Sequence, residues 1–197
     1  MNGLLPDHDR SSPVTIDNLL PSFRYRISAE TGIDASPPTV WSELVGIPMS
    51  ALPLGFALTR LRHFPDVLAG NETPVAGTDT FFDATPIPVV VRVKQSLIIS
   101  AGPSQAWKIL GGDHPPDLDA RQFSGWQEPG WIKVAMQFRL TEFDGGQKTL
   151  LSTETRITST DDRTARLFAP YWWAIRAGSV LIRREVVAQV RKRAENH

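Results

Sequence analysis

The chain has 197 residues, 41% apolar and 21% charged, with 21 basic against 21 acidic side chains and a formal net charge of zero. This composition suits one fairly large globular domain, and the charge balance argues against nucleic acid or an anionic membrane as the main partner. Cysteine is absent, which excludes disulfides, thiolate nucleophiles and zinc–cysteine sites.

The opening MNGLLPDHDRSSP lacks the basic and apolar regions of a secretory signal, and no apolar run reaches membrane-spanning length. The expectation is a cytoplasmic protein without membrane insertion. The glycosylation sequon at Asn71-Glu72-Thr73 is then read as chance. Residues 1–21 read as a flexible tail, with a short turn at Ile16–Leu20, ahead of one domain over 22–197. Phe23 to Ile27 alternates apolar and basic residues and predicts a strand reaching Ile33. Ser36 can cap a helix that has Pro37 at its first position and Val40, Trp41 and Leu44 on one face. A second helix is predicted from Ser50 to His63, with Leu52, Phe56, Leu58 and Leu61 apolar.

Prolines cluster in 37–53, 65–88 and 103–129, which points to loops or short elements there. Val89–Val93 and Ser96–Ser100 are strand-like. Residues 102–130 are rich in Gly, Pro and Asp, with Trp107 and Trp126 among them.

The clearest β signal runs from Trp131 to Ser159. Ile132, Val134, Met136, Phe138 and Leu140 alternate with Lys133, Gln137 and Arg139, and Asp144-Gly145-Gly146 supplies a hairpin turn. Counting out from that turn pairs Leu140 with Leu151, Phe138 with Thr153, Met136 with Thr155 and Val134 with Ile157. One face is then apolar with two threonine hydroxyls, and the other, with Arg139, Gln137, Ser152 and Glu154, is polar. A slip of one residue would exchange the faces of one strand. Last comes a helix over Asp161–Glu195. Phe168, Trp172, Ile175, Ser179, Ile182, Val186 and Val190 form its seam, with acids at its start and bases at its end. Pro170 and Gly178 are the places where it could bend.

The stretch Ala35-Ser36-Pro37-Pro38-Thr39-Val40-Trp41-Ser42-Glu43-Leu44 after the first strand is similar to the opening of the START/Bet v1/polyketide-cyclase (SRPBCC) superfamily. Leu151 to Arg156, Tyr171-Trp172 and Ser179 to Glu185 resemble a bacterial group of that superfamily with no assigned function. The resemblance covers about residues 22–195. It implies an α+β helix-grip fold, in which a curved antiparallel β-sheet wraps around a long C-terminal helix, with two short helices after the first strand and a cavity between sheet and last helix. It also implies binding of a small apolar, aromatic or lipid-like molecule. The alternatives are a cyclase/dehydratase-like enzyme on a polyketide or aromatic substrate and a protein-interaction module with a collapsed cavity.

On that reading the cavity wall consists of Trp107, Met136, Phe138, Leu140, Phe168, Tyr171, Trp172 and Ile175. Thr153, Thr155, Tyr171 and Ser179 are its polar anchors. An uncharged ligand with one or two hydrogen-bonding groups fits such a wall, since a carboxylate would need Arg176 to turn inward. No catalytic constellation is visible, and the pattern calls for no metal and no cofactor. His8, His63, His114 and His197 form no metal-ligand spacing. The cluster Asp113-His114-Pro115-Pro116-Asp117-Leu118-Asp119 could hold a cation or move a proton, but reads more simply as a solvated loop. Glu154 and Arg156 read as cross-strand partners on the outer face rather than as cavity groups. Arg176, Val180, Arg183 and Val187 read as a solvated stripe of the last helix. Glu154, Arg176 and His114 are the groups an enzyme would have to use. The sequence does not speak to oligomeric state.

Overall fold

The computed structural model describes residues 14–68, 76–108 and 112–197, with 61–68 as backbone. Strands β1 (Tyr25–Ile33), β2 (Val89–Val93), β3 (Leu97–Ser104), β4 (Ile132–Phe143) and β5 (Lys148–Ser159) make one antiparallel sheet in the order β1-β5-β4-β3-β2. The β4–β5 turn places Asp144, Gly145 and Gly146 at positive φ, a conformation that Gly and Asp tolerate. Register follows from that turn: Leu140 faces Leu151, Phe138 faces Thr153 and Met136 faces Thr155. β3 extends past its expected end through Pro103, which β4 borders while β2 reaches no farther than Ser100. A missing N–H is tolerated where one side of a strand is unpaired.

One helix dominates the inner side of the sheet: α5 (Asp162–Ala194), 33 residues long, about 50 Å at the usual rise. It runs through Pro170, which is exposed, without a break. Asp161 caps its start, accepting from the Thr164 N–H (2.8 Å), the Thr164 hydroxyl (2.6 Å) and the Gly130 N–H (2.7 Å). Those bonds, the Thr164 hydroxyl first, hold its carboxyl well below the usual carboxylate range. At the other end Arg193 donates to the buried Glu43, and Glu195 accepts from the Asp34 N–H. Glu43 belongs to α2 (Pro37–Val45), which begins at Ser36 and Pro37 as its sequence dictates. A 3-10 turn over Met49–Ala51 leads into α3 (Pro53–Leu68). The start of α3 is held by α5, because Glu185 accepts the N–H groups of Leu54 (2.9 Å) and Gly55 (2.8 Å). The predicted side-chain roles of Leu61 and His63, and the sequon at Asn71, lie outside the described residues.

The outer face of the sheet departs from the expectation of a polar, solvated surface. It is roofed by α1 (Ile16–Leu19) and α4 (Ala120–Gly125). Ile16, Leu19, Leu20 and Phe123 bury against Leu97, Ile99, Ala101 and Ala135. α1 stands where a short turn was expected at Ile16–Leu20, and residues 1–13 lie outside the described residues. Lys133, Gln137 and Arg156 on that face are buried, whereas Arg139 is exposed as expected. Lys133 reaches the Ser124 carbonyl (2.9 Å) and sits 4.8 Å from the Phe123 ring centroid, and burial lowers its pKa. Asp119 and Gln122 cap α4 reciprocally, so Asp119 serves a helix rather than an acid cluster.

Candidate functional site

The inner face of the sheet, under α5, carries two apolar groups with a polar belt between them. The first group gathers Ile27, Ile132, Val134 and Ile157 under Phe168 and Trp172. Here the aromatic rings interlock: Phe168 lies 5.8 Å from Trp107, 5.8 Å from Tyr171 and 6.2 Å from Trp172, and Tyr25 stands 4.8 Å from Trp172. The second gathers Met136, Phe138, Leu140 and Leu151 under Val186, Val187 and Val190. The rings of Phe81 and Phe82 meet Phe138 edge-on at 5.9 and 5.5 Å. Between Trp172 and Val186, about 21 Å of helix, α5 has no fully buried side chain.

Opposite that stretch the sheet presents hydroxyls. Ser100 and Thr155 flank Met136 across neighbouring strands, and Thr153 pairs with Phe138. All three residues are buried, and none of the three hydroxyl oxygens has a hydrogen-bond partner. Buried polar groups are ordinarily paired, so three together without partners is unusual. The helix adds a fourth group. Arg183 points inward, its Cζ 5.8 Å from the Phe138 ring centroid, with Nη1 shut off from solvent and unpartnered. The residue as a whole is half-buried, but Nη1 is shut off from solvent, and burial pushes the pKa down to about 10.

The predicted wall residues thus fall into two sets. Trp107, Phe168, Tyr171, Trp172 and Ile175 gather at the start of α5, while Met136, Phe138 and Leu140 belong to the core near its end. Thr153 and Thr155 lie between the sets, and Ser179 is half-buried on the helix.

Arg183 is the residue that the sequence reading misplaced. It is not part of a solvated stripe, and neither is Val187, which is 5% exposed. The seam steps from Ser179 to Val186, and positions 182 and 183 both lie on it at helical spacing. Ile182 took the apolar position, and the long stem of Arg183 allows it to share that face. Ser100 was missed because its neighbour in the sheet, Met136, is fixed by β3–β4 pairing, which no hairpin turn announces.

The other chemistry-bearing residues lie elsewhere. Arg176 is exposed and stacks over Trp173 at 5.4 Å, away from the interior. Glu154 accepts from Arg26 (2.8 Å) and Arg156 (2.6 Å) on the outer face, and Arg156 also donates to Asp17 and to the Leu20 carbonyl. Burial alone would lower the pKa of Arg156, but the bonds to Glu154 and Asp17 outweigh it and raise it. His114 is exposed on a loop whose Asp113 pairs with Lys108 at 3.3 Å. Among the described residues no group of three His, Asp or Glu side chains is placed to hold a metal ion. Two open grooves, of about 460 and 410 Å³, flank the C-terminal end of α5, and none of the predicted wall residues lines either of them.

No family model matches the chain, and no curated protein matches it. Similar solved structures include TTHA0849 from Thermus thermophilus, at 11% identity and TM-score 0.31 over 86% of this chain and 97% of that one. The hypothetical protein jhp0584 from Helicobacter pylori aligns at 10% identity and TM-score 0.37, over 95% and 100%. The Zhui aromatase/cyclase from Streptomyces sp. R1128 aligns at 12% identity and TM-score 0.29, over 86% and 94%. Likeness of this degree says nothing of chemistry. The description of the chain as α+β and helix-grip-like rests on its own sheet and long helix. No helix among the described residues is long and apolar enough to cross a membrane.

Proposed function

We propose that this protein binds a small, largely apolar molecule between the inner face of its sheet and the middle of α5. The observation that carries the reading is the belt of unpartnered hydroxyls, Ser100, Thr153 and Thr155, between two apolar groups. Leaving a buried hydroxyl unpaired costs about 1–3 kcal/mol, and a ligand that supplies the missing partners recovers that cost. Apolar walls with a few convergent polar groups are what small-molecule sites need. Superfamily membership and a cytoplasmic location belong to the same proposal.

A thermal-shift screen with neutral and acidic aromatic and aliphatic compounds tests it. Saturating binding adds RT ln(1 + [L]/Kd), about 2.7 kcal/mol at a hundredfold excess over Kd. Thr153→Val and Thr155→Val should weaken the best binder while leaving the free protein as stable as before or more so. If no compound raises the melting temperature, the reading fails.

Of the other two readings, catalysis loses the groups it would use, since Glu154, Arg176 and His114 all lie away from the interior. An interaction surface is favoured by one observation: Leu167, Trp173 and Leu181 are 54%, 66% and 49% exposed along α5. Sedimentation of the Trp173→Ala and Leu181→Ala variants against the parent would reveal self-association through that side.

A further inference from the structure

Among the described residues, Arg183 is a cation without a counter-ion. Its Nη1 is shut off from solvent and donates to nothing. Every ion pair among the described residues belongs to other side chains: Arg26, Lys108, Lys148, Arg156, Arg191, Arg193 and His197 have acidic partners, and Arg183 has none. The downward pKa shift has burial as its one cause, with no carboxylate opposing it. The face of the Phe138 ring offers some compensation, but less than taking a charge out of water costs.

What the site lacks is specific in kind. Arg is donor-only, so its missing partner is an acceptor. A neutral acceptor would satisfy Nη1 and leave the charge uncompensated, whereas an anion does both, and guanidinium matches a two-oxygen anion in particular. The three nearby hydroxyls can turn their hydrogens toward the same group. Thr153 stands directly across from Phe138, over which Arg183 lies, and cross-strand neighbours have Cβ atoms about 5 Å apart. The apolar groups on either side favour an organic body over a bare inorganic ion.

We infer that the ligand of this interior site is an organic anion, an apolar body bearing a carboxylate that pairs with Arg183 and accepts from Thr153, Thr155 or Ser100. This rests on the binding reading above and replaces the uncharged ligand expected from the sequence with a charged one.

Titrations of 2-naphthoate, 2-naphthamide, decanoate, decanamide and inorganic phosphate test it, followed by melting temperature and calorimetry at neutral pH. In the parent protein one carboxylate should bind at least about tenfold tighter than its amide, a difference of about 1.4 kcal/mol. Arg183→Met should erase that preference while still binding the amide. Arg183→Lys, which keeps the charge and loses the fork, should retain part of the preference, and Arg176→Met should retain all of it. Equal affinity of acid and amide in the parent would overturn the anion and leave the apolar site standing. Phosphate binding as tightly as the organic acids would overturn the organic body. No binding by any of the five would overturn the interior site itself, and this inference with it. The parent comparison needs no variant, so it decides the question even where Arg183→Met does not fold.

Discussion

The carboxylate of Glu185 receives the backbone N–H of Gly55 at 2.8 Å, and that of Leu54 beside it. A side chain from the middle of the last helix thus does for α3 what an N-cap residue does for its own helix. It places negative charge at the positive end of the helix dipole. The approach is close: a Cβ on Gly55 would lie 3.4 Å from Glu185 Oε2, and one on Gly178 would lie 3.3 Å from Leu58 Cδ1.

Removing that cap should loosen α3 before it unfolds the protein. Glu185→Ala is expected to cost about 1–2 kcal/mol. Amide exchange in the first turns of α3 should rise more than exchange in β4 or β5. Uniform acceleration across all elements would mean that the contact serves global stability alone.

Arg183→Met should stabilise the ligand-free protein by about 1–3 kcal/mol in denaturant melts, because it replaces an uncompensated charge with an apolar side chain of similar length. The pH dependence has a definite sign. The folded pKa, about 10, lies below the ordinary arginine value, so the unfolded chain holds the proton more tightly. The penalty is constant below pH 10 and is relieved as pH rises beyond it. The stability gap between parent and variant should therefore narrow above about pH 10.

Phe138→Ala and Trp172→Ala remove side chains that are 0% and 4% exposed. Each should cost about 3–5 kcal/mol. Trp173→Ala, at 66% exposed, should change stability by less than about 0.5 kcal/mol. Equal losses at Trp172 and Trp173 would contradict the orientation of the helix.

Asp161 is expected to govern part of the acid limb. Its folded pKa is depressed, so its contribution is present above the ordinary carboxylate pKa and is lost as pH falls below about 4. Asp161→Asn keeps an effective cap and removes the titration. Between pH 6 and pH 3 the parent should lose more melting temperature than this variant.

The parts of this architecture that were legible are those in which a local signal and a buried face coincide. A turn of Asp144, Gly145 and Gly146 fixes the register of β4 against β5, and a caps-and-dipole pattern fixes α5 to within a residue at each end. The outer layer was illegible for a physical reason. Lys133, Gln137 and Arg156 look like solvent-facing residues, yet each is covered and finds a polar partner in α1, α4 or the link between α1 and β1. Helix α4 did carry its signal, Asp119 three residues before Gln122, but it is six residues long and set among prolines. Within the site, the threonines were visible from strand alternation together with the register set by the turn. Arg183 was not, because helical spacing places it on the edge of the seam and charge argues for the wrong side.

The strand order has a consequence for how the chain reaches this state. β1, the first strand made, lies at one edge of the sheet and pairs with β5, the last; Arg26 and Glu154, 128 residues apart in sequence, are hydrogen-bonded across that junction. The β4–β5 hairpin can form early, from neighbours in the chain, but β1 must wait for it. The cost of closing so large a loop comes before any reward, which slows folding. α5 follows β5 directly, so the part of the apolar inner face that α5 covers stays open until α5 itself is made. A chain cut short before α5 would expose the part of that surface that Phe168, Trp172, Val186 and Val190 cover, and aggregation rather than partial folding is its natural end.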